Sequence, residues 1–528
     1  MITDTSETER QDEVSRFLSR SQSHGPNVEP IKVVETHVSR VFLAGQRAYK
    51  MKRAVKFPYL DFSTLENRRQ VCEAEVAINK RTAPGIYRGV VAVSRDGGRL
   101  VLDSGNTGEV IEWLVEMNRF DEQQLFDRRA QRGELDRHGM EQLAEHIAAF
   151  HRDAVIRLES GGAAGIRMII DNNAESFETA AAGVFVGPEV AAMNARAGDL
   201  AAELASALDA RRDAGAVRHC HGDLHLRNIC MFDGRPTLFD AIEFNRSFSE
   251  IDTLYDLAFL LMDLDFRGLR RQASFVFNRY LDATGDGVRL PGEFSVLPLF
   301  LSMRAAVRAH VDGTQAAMLS DPEMRAKRAG EAQRYLQMAI DYLEPAKPRL
   351  LAVGGLSGSG KSRMARELAP DIGVAPGARV VRTDAVRKRL LGVGLDQTLA
   401  ADGYTGEMHR RTYEAFYEEI REALAQGQSV IADAVFSNLG QRRAVADIAA
   451  ELGVAFDGLW LDAPPEVMEK RVAERRGDVS DATVEVLRQQ YGYDLGAIDW
   501  HRVDSGGTRD DTVAEGRQIV ESTENSKK

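Results

Sequence analysis

Residues 350–369 constrain the fold of this chain more tightly than any other stretch. The apolar run Leu350-Leu-Ala-Val353 leads into Gly354-Gly355-Leu-Ser-Gly358-Ser-Gly360-Lys361-Ser362, and Arg363-Met-Ala-Arg-Glu-Leu-Ala369 continues with helical spacing. A strand, a glycine-rich turn and a helix in that order bring successive backbone N–H groups together at a helix N-terminus, where phosphate oxygens can bind. Gly355, Gly358 and Gly360 let the backbone approach closely, Lys361 can bridge the outer phosphates, and the Ser362 hydroxyl can ligate Mg2+. Three further apolar runs, within Arg379–Thr383, Ser429–Phe436 and Phe456–Pro464, alternate with helical patterns. Buried runs separated by helices predict an α/β domain with a parallel sheet covered on both faces.

The residues around this loop fit a kinase better than a motor. In Thr383-Asp384-Ala-Val-Arg387-Lys-Arg389, Asp384 follows the next predicted strand and can contact an acceptor hydroxyl, while the arginines can meet phosphate or carboxylate. Asp433 ends another apolar run and can hold the water shell of the metal. Arg471 and Arg475 stand one helical turn apart before the polar loop that Arg476-Gly477 opens. That spacing suits a lid delivering charge to a transition state, and a solvated helix face is the alternative. No sensor or arginine-finger segment and no long coiled coil accompanies the motif. Over roughly residues 349–505 the chain resembles the small P-loop kinases, near gluconate kinase, the zeta-toxin kinases and the P-loop part of polynucleotide kinases. The resemblance implies ATP and Mg2+ as cofactors, Asp384 as the acceptor-activating group, and Arg475 and Arg476 as lid arginines.

The first half carries a different set of groups. Ile31–Thr36, Val41–Arg53 and Val90–Leu102 read as short strands with turns at Gly45 and Gly97-Gly98, and Phe62–Pro84 reads as one helix with Ser63 as its candidate N-cap. Beyond Glu112-Trp-Leu-Val115 the chain turns helix-rich. His221-Gly-Asp223-Leu-His225-Leu-Arg-Asn228, a turn at Asp233-Gly234 and Leu238-Phe-Asp240 then set Asp and Asn five residues apart in a loop, with a second Asp after the next apolar run. Phosphoryl transfer needs a carboxylate to orient the acceptor hydroxyl, and an amide oxygen and a carboxylate to hold Mg2+ on the phosphates. Asp223 fits the base, and Asn228 and Asp240 fit the metal ligands. Strand alternation puts Ala48, Lys50 and Lys52 on one face, so Lys50 is the phosphate-binding choice with Lys52 as alternative, and its helix partner is Glu75 or Glu73.

Roughly residues 31–310 resemble the aminoglycoside phosphotransferase family, which has a kinase fold with His-Gly-Asp-x-x-x-x-Asn as its catalytic loop. Asp252-Thr-Leu-Tyr-Asp256-Leu-Ala is similar to the helix that braces that loop, which implies a structural role for Asp256 and a packing role for His225. Glu112–Val115 falls at the expected hinge. No Gly-x-Gly-x-x-Gly precedes Lys50, the metal motif reads Asp240-Ala-Ile-Glu243, and no Ala-Pro-Glu segment follows, which argues for a small-molecule acceptor over a protein. Glu243, Glu250, Asp252, Asp256, Asp263 and Asp265 form either a rim for a cationic amino-sugar or a solvated acidic face.

A chain of 528 residues with 44% hydrophobic and 28% charged residues has material for two or three cores and lies far from disordered composition. The expected organisation is a flexible tail at 1–30, a kinase-like domain at 31–343, a Pro-containing linker at 344–349 and a P-loop domain at 350–528 that folds and binds ATP alone. The fold class is an α+β two-lobed kinase-like fold followed by an α/β P-loop domain. A net charge of −12 opposes duplex nucleic acid, three cysteines suit reduced thiols, and no apolar run approaches the ~20 residues of a membrane span. These features predict a cytoplasmic, two-site, ATP- and Mg2+-dependent phosphotransferase acting on hydroxyls of sugars, amino-sugars or sugar acids. A nucleotide-gated regulator and a polynucleotide 5′-kinase are the competing readings.

Overall fold

The computed structural model describes residues 5–25, 30–36, 38–57, 60–103, 108–179, 183–284, 290–399, 401–474 and 479–527. Its contacts divide the chain into two compact units. One is formed by residues 1–146, 150–161 and 217–257, the other by 147–149, 162–216 and 258–528.

The first unit is built on a six-stranded antiparallel sheet in the order Lys32–Glu35, Ser39–Ala44, Arg47–Lys52, Glu109–Asn118, Tyr87–Asp96, Arg99–Asp103. The helix Leu65–Asn79 accompanies it. Its cap is Thr64, whose hydroxyl accepts from Asn67 N at 3.1 Å. Ser63, the residue expected to cap it, lies one position too early and donates to Asp61 Oδ1 at 2.5 Å instead. Glu112–Val115 form no hinge: they lie inside the strand Glu109–Asn118, where Val115 pairs with Lys50 on one side and Val90 on the other.

The segment read as a flexible tail holds a helix, Thr5–Leu18. Val14 and Leu18 are fully buried among Phe42, Tyr49, Met51 and Leu114. Gln11 donates to Lys52 O and Glu112 Oε2, both at 2.7 Å, and accepts from Ala54 N at 2.8 Å. Arg68 of the helix Leu65–Asn79 reaches Glu112 at 2.9 Å and Glu7 at 2.7 Å, which ties the N-terminal helix to both elements. A narrow apolar stripe of Val14, Phe17 and Leu18 on an otherwise polar helix accounts for the difference.

The second unit contains the helices Gly162–Thr179, Gly187–Glu203, Ala205–Asp213, Arg270–Thr284, Glu293–Met318 and Pro322–Asp341, and the expected parallel sheet. That sheet has five strands in the order Arg379–Arg382, Val430–Asp433, Arg349–Gly354, Ala455–Asp462, His501–Asp504, all parallel. Leu351, Val353, Ile431, Leu459 and Leu461 face Met364 and Leu368 of the following helix and Val520 of the C-terminal one. The central strand therefore delivers its C-terminal end to the glycine-rich turn. No helix among the described residues is long and apolar enough to cross a membrane.

Candidate functional site

In the first unit, Lys50 and Lys52 project from one face of the strand Arg47–Lys52 toward Glu75. Lys50 Nζ lies 2.8 Å from Glu75 Oε1 and 2.6 Å from Asp240 Oδ1. Lys52 Nζ lies 2.5 Å from Glu75 Oε2 and 2.5 Å from Glu243 Oε1, and its side chain is only 2% exposed. Glu73 points outward and pairs with Arg69 at 2.9 Å, so Glu75 is the helix partner of both lysines. Burial works against the charge on Lys50, but Asp240 and Glu75 outweigh it and raise the ammonium above its ordinary range. Burial likewise opposes ionisation of Asp240, and Lys50 overrides it, holding the carboxyl down to about 2. Burial leaves Glu243 above its usual range, with Lys52 countering only part of the effect. Glu243 thus belongs to neither an acidic rim nor a solvated face, the two alternatives its sequence context offers, but to this buried cluster.

The loop His221–Asn228 is held by its backbone. Asp256 Oδ2 accepts from His221 N at 3.0 Å and Oδ1 from Gly222 N at 2.9 Å, while His151 Nε2 lies 3.1 Å from Oδ2. Gly222 has φ +84°, and a Cβ there would come within 2.7 Å of Phe248 O, so no other residue fits. His221 donates through Nε2 to Phe239 O at 2.9 Å, which joins the loop to the segment bearing Asp240. Asn228 Nδ2 donates to Asp223 Oδ2 at 2.8 Å and to Asp223 O at 3.0 Å. Asp223, Asn228 and Asp240 are thus carried on one framework: the hairpin Ile229–Phe232 and Arg235–Leu238 connects them. His225 Nε2 lies 3.5 Å from Asp223 Oδ2.

The remaining acidic residues form neither a rim nor a solvated face. Glu250 pairs with Arg157 at 3.1 Å, Asp252 Oδ1 caps Leu254 N at 2.8 Å, Asp263 pairs with Arg267 at 3.0 Å, and Asp265 accepts from Tyr342 OH at 2.8 Å.

In the second unit, the helix Lys361–Leu368 begins directly after the glycine-rich turn, placing Lys361 and Ser362 in its first turn. Gly358 has φ +81°, and a Cβ would lie 2.5 Å from Met468 O, while one on Gly355 would meet Ser359 Oγ at 2.6 Å. Gly360 occupies the left-handed N-cap position. Ser357 N donates to Gln490 Oε1 at 2.8 Å, a partner the sequence reading did not single out. Asp433 ends its strand 3% exposed, 3.3 Å from Arg382 Nε, and its Oδ1 is buried without a hydrogen-bond partner.

Asp384 and Arg387 share the helix Thr383–Leu390, with Arg387 Nη1 3.5 Å from Asp384 Oδ1. The Arg387 guanidinium lies 5.1 Å from the centre of the Tyr404 ring, and its Nε is buried without a hydrogen-bond partner. Lys388 of the same helix, 1% exposed, pairs at 3.2 Å with Asp481, which also accepts from Leu399 N at 3.1 Å. Arg471 donates to Gly507 O at 3.4 Å, and Arg475 and Arg476 lie outside the described residues.

Residues 350–493 match the family model described as an AAA domain. An uncharacterized protein of Mycobacterium tuberculosis is 30% identical over 510 residues, covering 94% of this chain and 97% of its own length. Among solved structures, the chain is similar to a choline/ethanolamine kinase family protein of Mesorhizobium loti, at 15% identity and a TM-score of 0.36 over 62% of this chain and 99% of that one. It is also similar to the APS kinase of Mycobacterium tuberculosis, at 19% identity and a TM-score of 0.25 over 34% of this chain and 99% of that one. With an AAA domain matched at residues 350–493, the chain belongs to the family of the mycobacterial proteins that match it over nearly their whole length.

Proposed function

We propose that this protein is an ATP- and Mg2+-dependent phosphotransferase with two nucleotide sites, each passing a γ-phosphoryl group to a hydroxyl of a small molecule. The observation that carries the reading is the pairing at the first site. Asn228 holds the Asp223 carboxylate at 2.8 Å, and Lys50 spans Glu75 and Asp240 at 2.8 and 2.6 Å. Asp223 orients the acceptor hydroxyl and takes its proton, Lys50 binds the phosphates, and Asn228 and Asp240 hold the metal. At the second site the P-loop amides and Lys361 bind the nucleotide, Asp384 orients the acceptor, and Ser362 and Asp433 hold the metal. The buried, unpartnered Oδ1 of Asp433 fits a cation's water shell. Mg2+ supplies charge neutralisation on the phosphates when bound.

Arg387, with a buried Nε seeking an acceptor, favours an anionic group on the second acceptor, so a sugar acid suits this site better than an amino-sugar. With every carboxylate of the supposed acidic rim engaged, nothing there favours a cationic acceptor at the first site either. ATP depletion by the purified chain against sugars, amino-sugars, sugar acids and short oligonucleotides tests the reading, with Asp223→Asn and Lys361→Ala assigning each activity to a site. ATP binding without turnover on any acceptor would favour the nucleotide-gated regulator. Turnover on oligonucleotides alone would favour a polynucleotide kinase, which the net charge of −12 disfavours.

A further inference from the structure

The strand Arg379–Arg382 is the outermost of the parallel sheet, so one row of its backbone groups has no strand to pair with. The helix Arg270–Thr284 covers that edge with a side chain. Asn278 Oδ1 accepts from Val380 N at 2.8 Å, and Asn278 Nδ2 donates to Ala378 O at 3.1 Å. One residue along, Arg379 is 1% exposed and its guanidinium is divided between two elements. Nη2 lies 2.5 Å from Asp282 Oδ1 of the covering helix and 2.8 Å from Glu419 Oε1, and Nη1 donates to Asn278 O at 3.2 Å. Glu419, on the helix Gly406–Ala425, gives its other oxygen to Arg389 Nη2 at 2.5 Å. Arg389 sits in the last turn of Thr383–Leu390, the helix that carries Asp384 and Arg387.

Two cations and two carboxylates therefore alternate in a buried line from the covering helix to the acceptor helix. Glu419 cannot move toward one guanidinium without weakening its hold on the other. Buried ion pairs have few alternative partners, so loss of one member is transmitted to the next rather than absorbed by water. We propose that Glu419 is a positioning residue for the acceptor helix Thr383–Leu390, and that Asp282 and Asn278 set how firmly it holds. The helical block thereby tunes acceptor binding at the P-loop site without touching the nucleotide. The proposal rests on the reading of Asp384 and Arg387 as acceptor contacts. By linkage, an acceptor that orders Thr383–Leu390 must also order Arg270–Thr284.

Hydrogen exchange on the full chain, read by segment, tests this without an acceptor in hand. Asp282→Asn is expected to raise exchange in residues 383–391 about tenfold, while residues 361–368 and the affinity for a fluorescent ATP analogue stay unchanged. Asp282→Glu should recover most of the protection. Asn278→Ala, which leaves the Asp282–Arg379 pair intact, removes the two backbone hydrogen bonds and the 3.3 Å bond that Asn278 Oδ1 accepts from Arg379 Nη1, and answers the question should Asp282→Asn fail to fold, is expected to raise exchange in the same segment about threefold. Unchanged exchange in 383–391, or an equal rise in 361–368, would overturn the proposal and leave a purely structural clasp. Once an acceptor is identified, its KM should rise in Asp282→Asn with kcat preserved. A chain that shows the exchange pattern yet transfers no phosphate to any acceptor would instead refute the functional reading, so the two failures are distinguishable.

Discussion

Lys50 and Lys52 share one carboxylate, yet their surroundings assign them different tasks. Lys50 faces Asp240, and Lys52 is sealed between Glu75 and Glu243 with Phe62 beneath its ammonium at 5.5 Å from the ring centre. Lys52→Met would strand the buried Glu243 and leave Glu75 with Lys50 alone, and is expected to cost about 3–5 kcal/mol of stability, read by denaturant unfolding. Lys50→Met should act mainly on nucleotide affinity, because Glu75 keeps Lys52 as its partner and the Asp240 side chain is partly exposed. Asp223→Asn is expected to lower turnover at the first site by about 10²–10⁴-fold while ATP still binds, and near-normal turnover would remove Asp223 from the role of base. Sequence could place these groups because loop spacing is local. It could not separate Lys50 from Lys52, since strand alternation puts both on one face, and Glu75 differs from Glu73 only by the side of a helix that faces the sheet. Glu243 was unreadable for another reason: its partners are some 170–190 positions away in the chain and meet it only through the fold.

At the scale of elements, four of the five parallel strands and the strand-turn-helix of the P-loop were legible because buried strands read as continuous apolar runs, whereas His501–Asp504 buries only Val503 and left no such run. The helix Thr5–Leu18 was not, since three apolar residues on a polar segment resemble a solvated tail until a sheet face exists to receive them. Their spacing, Val14 then Phe17 and Leu18, was the available signal. Deleting residues 1–20 removes two fully buried side chains, Val14 and Leu18, from the sheet face and takes Glu7 from Arg68 and Gln11 from the strand ends. The deletion is expected to cost about 3–6 kcal/mol of stability from apolar burial alone. It should also loosen the helix bearing Glu75, so thermal melting and ATP affinity should fall together. A deletion variant that melts like the full chain would return this segment to the status of a tail.

For the whole molecule, acid sensitivity follows from histidines buried in the neutral state. His310 Nε2 lies 3.2 Å from Asn173 Oδ1, its ring stands edge-on to Phe177, and burial, with Arg308 nearby, pushes its pKa from 6.5 to about 4. The unfolded chain therefore binds more protons between those values, and stability should fall as pH drops through that window, by on the order of 2 kcal/mol for this residue. His310→Gln should flatten the slope in denaturant titrations between pH 6.5 and 4. The covered edge of the parallel sheet matters in another way, for solubility. A fragment beginning at Lys347 keeps the glycine-rich turn, Lys361 and Ser362, but it loses Asn278 and Asp282 and so bares Ala378 O, Val380 N and a buried guanidinium. An uncovered outer strand is a template for a strand from another copy. The isolated fragment should self-associate with rising concentration in light scattering while the full chain does not, which makes the helix Arg270–Thr284 an internal guard against aggregation.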